Sequence, residues 1–442
     1  MYASVSRFRI DDLAPYIYRT HDSGKTWTLI TTGLPPGPVD AVREDPVRKG
    51  LLYAATENAV WVSFDDGDSW QSLQRNLPHT AARDIVVHDR DLIVATHGRG
   101  FWIMDDITPL RQAAAAMADT LWKPGPAIRI PRSLNTDTPI PPDEPMAENP
   151  PTGAVIDYYL AEAVSGPVTL EISDAHGKLV RRFASTDPPD PSPEELARQL
   201  IPAYWVRPHQ ALGTAAGGHR WVWDLRGERP LAQQYDYPIS AVPHDTPRGP
   251  QGPTVPPGSY TVKLTAGGKT LTAPLEVKLD PRIKLSPAAI AQQYQRAVRL
   301  AELLTRSTQA VRQARSAAAQ LGKLNASDPL KAQVTAAAGK VALLLSGPRG
   351  ATPAERDRLS TLMGVNGKLA TLYRIVDVDA VPTAAVIAEL TKAERELAQL
   401  TTSWDTLKAE LATLSTALTG AGLPAIQPEA PPPARDAEPR EE

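Results

Sequence analysis

Two sets of side chains in this chain have the types and spacing that chemistry uses. One is His97-Gly98-Arg99-Gly100, followed closely by Asp105-Asp106. Two glycines bracket the arginine after an apolar run, so the backbone should turn tightly and present His97 and Arg99 outward. An arginine can hold a carboxylate through two parallel hydrogen bonds. An aspartate pair can form one side of an acid–base site. The competing reading is that His97 and Arg99 tie one folded unit to the next, while Asp105-Asp106 closes a turn. The other set is a pair of acidic turns, Thr20-His21-Asp22-Ser23-Gly24-Lys25-Thr26-Trp27 and Ser63-Phe64-Asp65-Asp66-Gly67-Asp68-Ser69-Trp70. Their carboxylates are too few for the oxygen cage of a calcium ion. The histidines lack metal-ligand spacing and cysteine is absent, so no metal and no cofactor is expected.

Both acidic turns read Ser/Thr-x-Asp-x-Gly-x-Ser/Thr-Trp, the Asp-box. Asp22 and Asp65 stand 43 residues apart, the length of one four-stranded propeller blade. Such a turn needs a short acid that binds its own backbone amides and a glycine at positive φ. Thr20, Asp22 and Gly24, and likewise Ser63, Asp65 and Gly67, are therefore expected to be structural. Trp27 and Trp70 are expected to start the next strand and pack between blades. Residues 40–44, 51–56, 59–64 and 69–73 supply four strand-like runs around the second box. A third copy follows at 91–96 and 100–105. There Trp102 stands to Asp106 as Trp61 stands to Asp65, but the glycine and second tryptophan are gone. This makes about two and a half blades, where closed propellers have about four or more. The expectation is the terminal part of a larger protein, or a short chain that needs a partner.

Composition and punctuation divide the rest. The 442 residues leave room for about two to four domains. A formal charge of −3 and the lack of a basic patch argue against nucleic acid, and no apolar run reaches membrane-spanning length. The amino terminus has no charged-then-apolar leader pattern. The 44 prolines cluster between units. The expected fold class is multidomain β plus α. Residues 1–122 form a partial Asp-box propeller, and 123–151 a proline-rich, extended and exposed linker. Residues 152–284 form an immunoglobulin-like sandwich with insertions at 192–200 and 229–256. Residues 285–422 form an antiparallel helical bundle, and 423–442 a disordered acidic tail. Within the bundle, helices are expected near 329–345 and 353–373. A last helix carries the seam Leu397, Leu400, Trp404, Leu407, Leu411, Leu414 and Leu418. That seam is read as intramolecular core, with self-association as the alternative.

The run Pro15-Tyr16-Ile17-Tyr18-Arg19-Thr20 into the first box resembles the last blades of bacterial sortilin-like (VPS10-type) BNR-repeat proteins. So does Ala95-Thr96-His97-Gly98-Arg99-Gly100-Phe101-Trp102-Ile103-Met104-Asp105-Asp106. The segments Gly217-Gly218-His219-Arg220-Trp221-Val222-Trp223-Asp224 and Pro257-Gly258-Ser259-Tyr260 resemble the immunoglobulin-like domain of flagellar hook-capping proteins. The resemblance implies a periplasmic or extracellular location. It implies a propeller, sandwich and helical tail of a kind often labelled glycosyl hydrolase. Sialidases share the Asp-box, but their chemistry needs an arginine triad, a tyrosine with its glutamate and an acid. Phe8-Arg9-Ile10-Asp11 and Arg129-Ile130-Pro131 match the sialidase Arg-Ile-Pro signature only in part or in the wrong order. The expected function is therefore a non-catalytic binding or scaffolding fragment of an exported sortilin-like BNR-repeat protein. Its ligand would be protein or carbohydrate, bound through His97, Arg99, Asp105 and Asp106. Its partners would be upstream blades or a second copy. The alternative is the carboxyl-terminal portion of a sialidase- or xyloglucanase-like glycoside hydrolase whose catalytic ring lies upstream.

Overall fold

The computed structural model describes residues 1–114, 117–130, 141, 143–144, 147–238, 242–348, 350 and 359–429. The chain is mixed β and α, with antiparallel sheets first and helices last. Three small sheets come in chain order. The first contains β1 (Tyr2–Ser4), β2 (Ile17–Arg19) and β3 (Thr28–Leu29). The second contains β4 (Val39–Glu44), β5 (Leu52–Thr56), β6 (Val60–Ser63) and β7 (Gln71–Ser72). The third contains β8 (Ala82–His88), β9 (Asp91–Thr96) and β10 (Phe101–Met104). All pair antiparallel in simple meander order. Alternating apolar residues put one face of each sheet against its neighbour. Ile17 and Ile30 of the first sheet share a core with Val39, Leu52, Ala54 and Trp70 of the second. Tyr53, Ala55 and Val62 on the opposite face share another core with Ile85, Leu92 and Val94 of the third.

After a short helix α1 (Thr108–Gln112), two further sheets enclose one core. One has the order β11 (Thr120–Leu121), β13 (Ala154–Leu160), β16 (Gly217–Trp223). The other has the order β12 (Ala127–Arg129), β18 (Lys269–Leu279), β17 (Gly258–Ala266), β14 (Thr169–Asp174), β15 (Leu179–Ala184). Strands β13 to β18 all fall within the all-β unit expected over 152–284. The insertion expected at 192–200 contains the helix α2 (Pro193–Ala197), closed by a Ser192/Glu195 capping box. The linker assignment needs correction. Residues 127–129 are not exposed linker but a strand that runs parallel to β18, with Ala127 opposite Val277. Residues 131–140 of that segment lie outside the described residues.

The helical region contains α3 (Pro287–Lys323), α4 (Leu330–Ser346), α5 (Leu362–Val376) and α6 (Ala384–Gly420). Ser286 caps α3, and proline at the first helical position has no amide to leave unpaired. All seven seam residues of α6 are buried in one core with α3, α4 and α5. The helix expected near 353–373 begins later, at Leu362, because Thr361 caps it through the Gly364 amide. The part at 353–358 lies outside the described residues. The tail also needs correction at its start: Ile426 is buried, and its amide donates to Ser415 Oγ at 3.0 Å. Among the described residues no helix is long and apolar enough to cross a membrane.

Candidate functional site

The two acidic turns are built alike, bond for bond. In the first, the Thr20 hydroxyl donates to Asp22 Oδ1 at 2.8 Å and accepts from the Gly24 amide at 2.9 Å. The Thr26 amide and hydroxyl donate to the two Asp22 carboxylate oxygens at 2.9 and 2.7 Å. In the second, Ser63, Asp65, Gly67 and Ser69 repeat this with distances of 2.7, 2.8, 2.9 and 2.5 Å. Both oxygens of each aspartate thus accept from the turn's own amides and hydroxyls, so these carboxylates hold the loop shut. Hydrogen bonds from the Thr26 amide and hydroxyl hold the Asp22 carboxyl down at about 2. Burial pushes Asp65 up, but bonds from Ser69 and Ser63 outweigh it and leave the carboxyl below its ordinary range. Ser23 and Asp66 both have φ of 62°, and the glycines after them 90° and 91°. Gly67 is required twice over, since a Cβ there would lie 2.3 Å from Ile30 Cδ1 of the preceding sheet.

The tryptophans of the two turns part company. Trp70 is 4% exposed and donates Nε1 to the Ile30 carbonyl at 2.8 Å across the inter-sheet crevice. Trp27 does not pack between sheets as expected. It is 43% exposed, and its Nε1 donates to the carbonyl of Gly24 in its own turn at 3.2 Å. The same side chain in the same turn is buried only where a sheet stands in front of it. The joint at Trp70 is latched by polar groups as well. Arg19 donates to the Asp66 carbonyl at 2.6 Å and pairs with Asp68 at 2.9 Å. The Tyr2 hydroxyl and His21 both reach the Asp66 carboxylate.

His97, Arg99, Asp105 and Asp106 do not converge. His97 and Arg99 sit in the loop joining β9 to β10, where Gly98 and Gly100 take φ of 85° and 68°. Asp105 and Asp106 follow the other end of β10, about 13 Å away for a four-residue strand. Both loop side chains are exposed, and among the described residues neither makes a hydrogen bond or ion pair. They therefore do not tie the third sheet to the next unit either. Asp106 is buried: its carboxylate accepts from the Thr108 amide at 3.1 Å and from Arg90 at 3.2 Å. Burial pushes the Asp105 carboxyl up, and the nearby carboxylates of Asp91 and Asp106 add to the effect.

The tie to the sandwich is Arg220 on β16, whose place in the run Gly217–Asp224 carries no signal of that role. Its Nε and Nη2 donate to the Asp157 carboxylate on β13 at 2.8 and 3.0 Å. Its Nη1 and Nη2 reach the carbonyls of Asp105 and Asp106 at 2.7 and 2.8 Å. A narrow crevice beside this joint is lined by Asp106, Trp122, Lys123 and Asp157 and leaves no room for a water-sized body.

Neither partial sialidase motif leads to a site. Arg9 is exposed and lies over the ring of Phe8. Arg129 is buried and donates to Gln293 Oε1, to the carbonyl of Val255 and to the Asp379 carboxylate, joining β12 to the helical region. Arg226 does the same through Asp377 at 2.6 Å.

No family model and no curated protein matches the chain. Among solved structures it is similar to the extracellular domain of the one component system BT4673 from B. thetaiotaomicron. That match has 8% identity and a TM-score of 0.17, covering 60% of this chain and 28% of the other. The same extracellular domain, described as part of a hybrid two component system, matches at 9% identity with a TM-score of 0.17 and the same coverage. The chain thus spans little more than a quarter of the length of either.

Proposed function

We propose that this chain is a non-catalytic binding or scaffolding unit of an exported protein of the sortilin-like, Asp-box-repeat kind. On this reading the three small sheets are an arc of a propeller. The two sheets that follow them are an immunoglobulin-like sandwich, and the helices are a bundle. One observation carries the proposal: of the carboxylates that the motifs single out, Asp22, Asp65 and Asp106 are engaged in structure, and Asp105 lies away from His97 and Arg99. Asp22 and Asp65 close turns. Asp106 caps the end of the third sheet, and Asp157 holds Arg220. Glycoside hydrolysis needs two carboxyl groups facing one cleft, and His97 and Arg99 lie at the far end of β10 from Asp105. The periplasmic or extracellular location rests on the family resemblance alone. The test is incubation of the full chain with sialosides and β-glucans, with a His97/Arg99/Asp105/Asp106 quadruple alanine variant as control. The expected result is no turnover by either. Turnover that the quadruple variant loses would overturn the proposal and favour a hydrolase.

A further inference from the structure

The three small sheets perform one packing step twice, and the chain carries the parts for a third. On the second sheet, Tyr53 pairs with Val62 and Ala55 with Val60, and these four face the third sheet. Aligning Thr56 with Thr96 and Trp61 with Trp102 puts Ile93, Ala95, Phe101 and Ile103 at the same places on the third sheet. There, too, Ile93 pairs with Ile103 and Ala95 with Phe101. Even the strand irregularity recurs, after Val39 in β4 and after Ala82 in β8. This face is bare: Phe101 is 79% exposed, Ile103 58% and the adjacent Val86 49%. At the other end of the series, the two Asp-boxes align Trp27 with Trp70 and Tyr18 with Trp61. Trp70 and Trp61 pack back against the preceding sheet. Trp27 and Leu29 are exposed. One chain therefore holds both halves of the same sheet-to-sheet interface, one at each end.

We propose that these two faces meet between two copies of this chain. The Phe101/Ile103 face of one copy receives Trp27, Leu29 and Tyr18 of the other, and the reverse contact closes a two-fold ring of six sheets. The contact is head-to-tail, so it uses two different surfaces that cannot satisfy each other within one short arc. The polar latch of the internal joint, Arg19 and His21 on Asp68 and Asp66, is not repeated at the open joint, where Ile103 and Ser23 stand at the places of Arg19 and Asp66. The occupant is argued from the repeat instead: the two bare faces are the two halves of an interface that this chain already builds between its own sheets. Exposed apolar side chains gathered on one face, as Phe101, Ile103 and Val86 are, mark interaction surfaces.

The inference rests on reading the sheets as a propeller arc, and the test separates the two. Sedimentation or light scattering of the full chain at micromolar concentration should give twice 47.7 kDa. Trp27→Asp and Ile103→Asp, both on exposed positions, should each weaken the dimer at least roughly tenfold. Leu29→Asp replaces the first if its circular dichroism shows that it does not fold. Mixing the two variants should restore a dimer, because one intact joint can form between them. A wild-type monomer, a dimer that survives either substitution, or a species that keeps growing with concentration would each overturn the ring. If a wild-type monomer still loses stability on Asp65→Ala, only the docking proposal fails and the arc stands.

Discussion

Replacing Arg220 by methionine should expose how the third sheet is fastened to the sandwich. The change keeps the apolar stem and removes four donated hydrogen bonds, two to Asp157 and two to the carbonyls of Asp105 and Asp106. Breaking a buried ion pair from one side costs about 3–5 kcal/mol, because the remaining charge is stranded. Asp157 fits that description, with its side chain 11% exposed, but Arg220 is 34% exposed. Water can therefore follow the lost guanidinium, so the lower end, about 3 kcal/mol, is expected. The loss should also depend on pH. Burial already pushes the Asp157 carboxyl up, and Arg220 opposes that push. Without Arg220 the folded carboxyl rises further while the unfolded one does not change. The folded variant then binds the proton more tightly than the unfolded chain, so its stability falls as pH rises through the raised value. The deficit should be larger near about pH 8 than near about pH 5. Urea unfolding followed by tryptophan fluorescence gives the deficit. Hydrogen exchange over Asp105, Asp106 and β13 shows whether it is local, since a chain of several units need not unfold in one step. Adding Asp157→Asn should recover most of the loss. A deficit that is equal at both pH values, or that the second substitution does not relieve, would refute the idea that a stranded carboxylate is the cause.

Asp65→Ala should destabilise the small sheets by about 1–3 kcal/mol, the cost of leaving turn donors unpaired. Asp22→Ala should cost less, because its turn faces solvent, and thermal melts will rank the two. Both carboxyls are held below their ordinary range, so their contribution is present above about pH 4. It is lost as pH falls toward the value of about 2 at which the Asp22 group titrates, and an acid titration of tryptophan fluorescence should show it. Expressed alone, residues 285–429 should be helical by circular dichroism, because the core shared by α3 to α6 is their own. That segment should melt below the full chain, since Asp377 and Asp379 lose Arg226 and Arg129. Trp404→Ala within it should cost about 3–5 kcal/mol, as Trp404 is buried and donates to Gln313 at 2.9 Å. An isolated segment with no helical signal would show that the sandwich contacts are required for folding.

The sequence by itself determined the features that close within a few residues. The Asp-box turns were readable because Thr20, Asp22, Gly24 and Thr26 bond one another across at most four positions. The strands around them were readable from alternation, and the α6 seam from its three-and-four spacing, because burial on one face imposes those periods. Tertiary structure alone decided what each element packs against. Trp27 and Trp70 occupy one motif position, yet only Trp70 has a sheet before it. Arg129 looked like part of a catalytic signature and is a buried tie to Asp379, 250 positions away in the chain. Arg220 carries no motif and joins two units through carbonyls 114 and 115 positions distant. Residues 127–129 and Ile426 looked like linker and tail, and both are claimed by cores built elsewhere. A hydrogen bond within a turn is written in the order of its residues. A charge pair or an apolar face is completed by whatever the rest of the chain brings to it, and that depends on how the units dock.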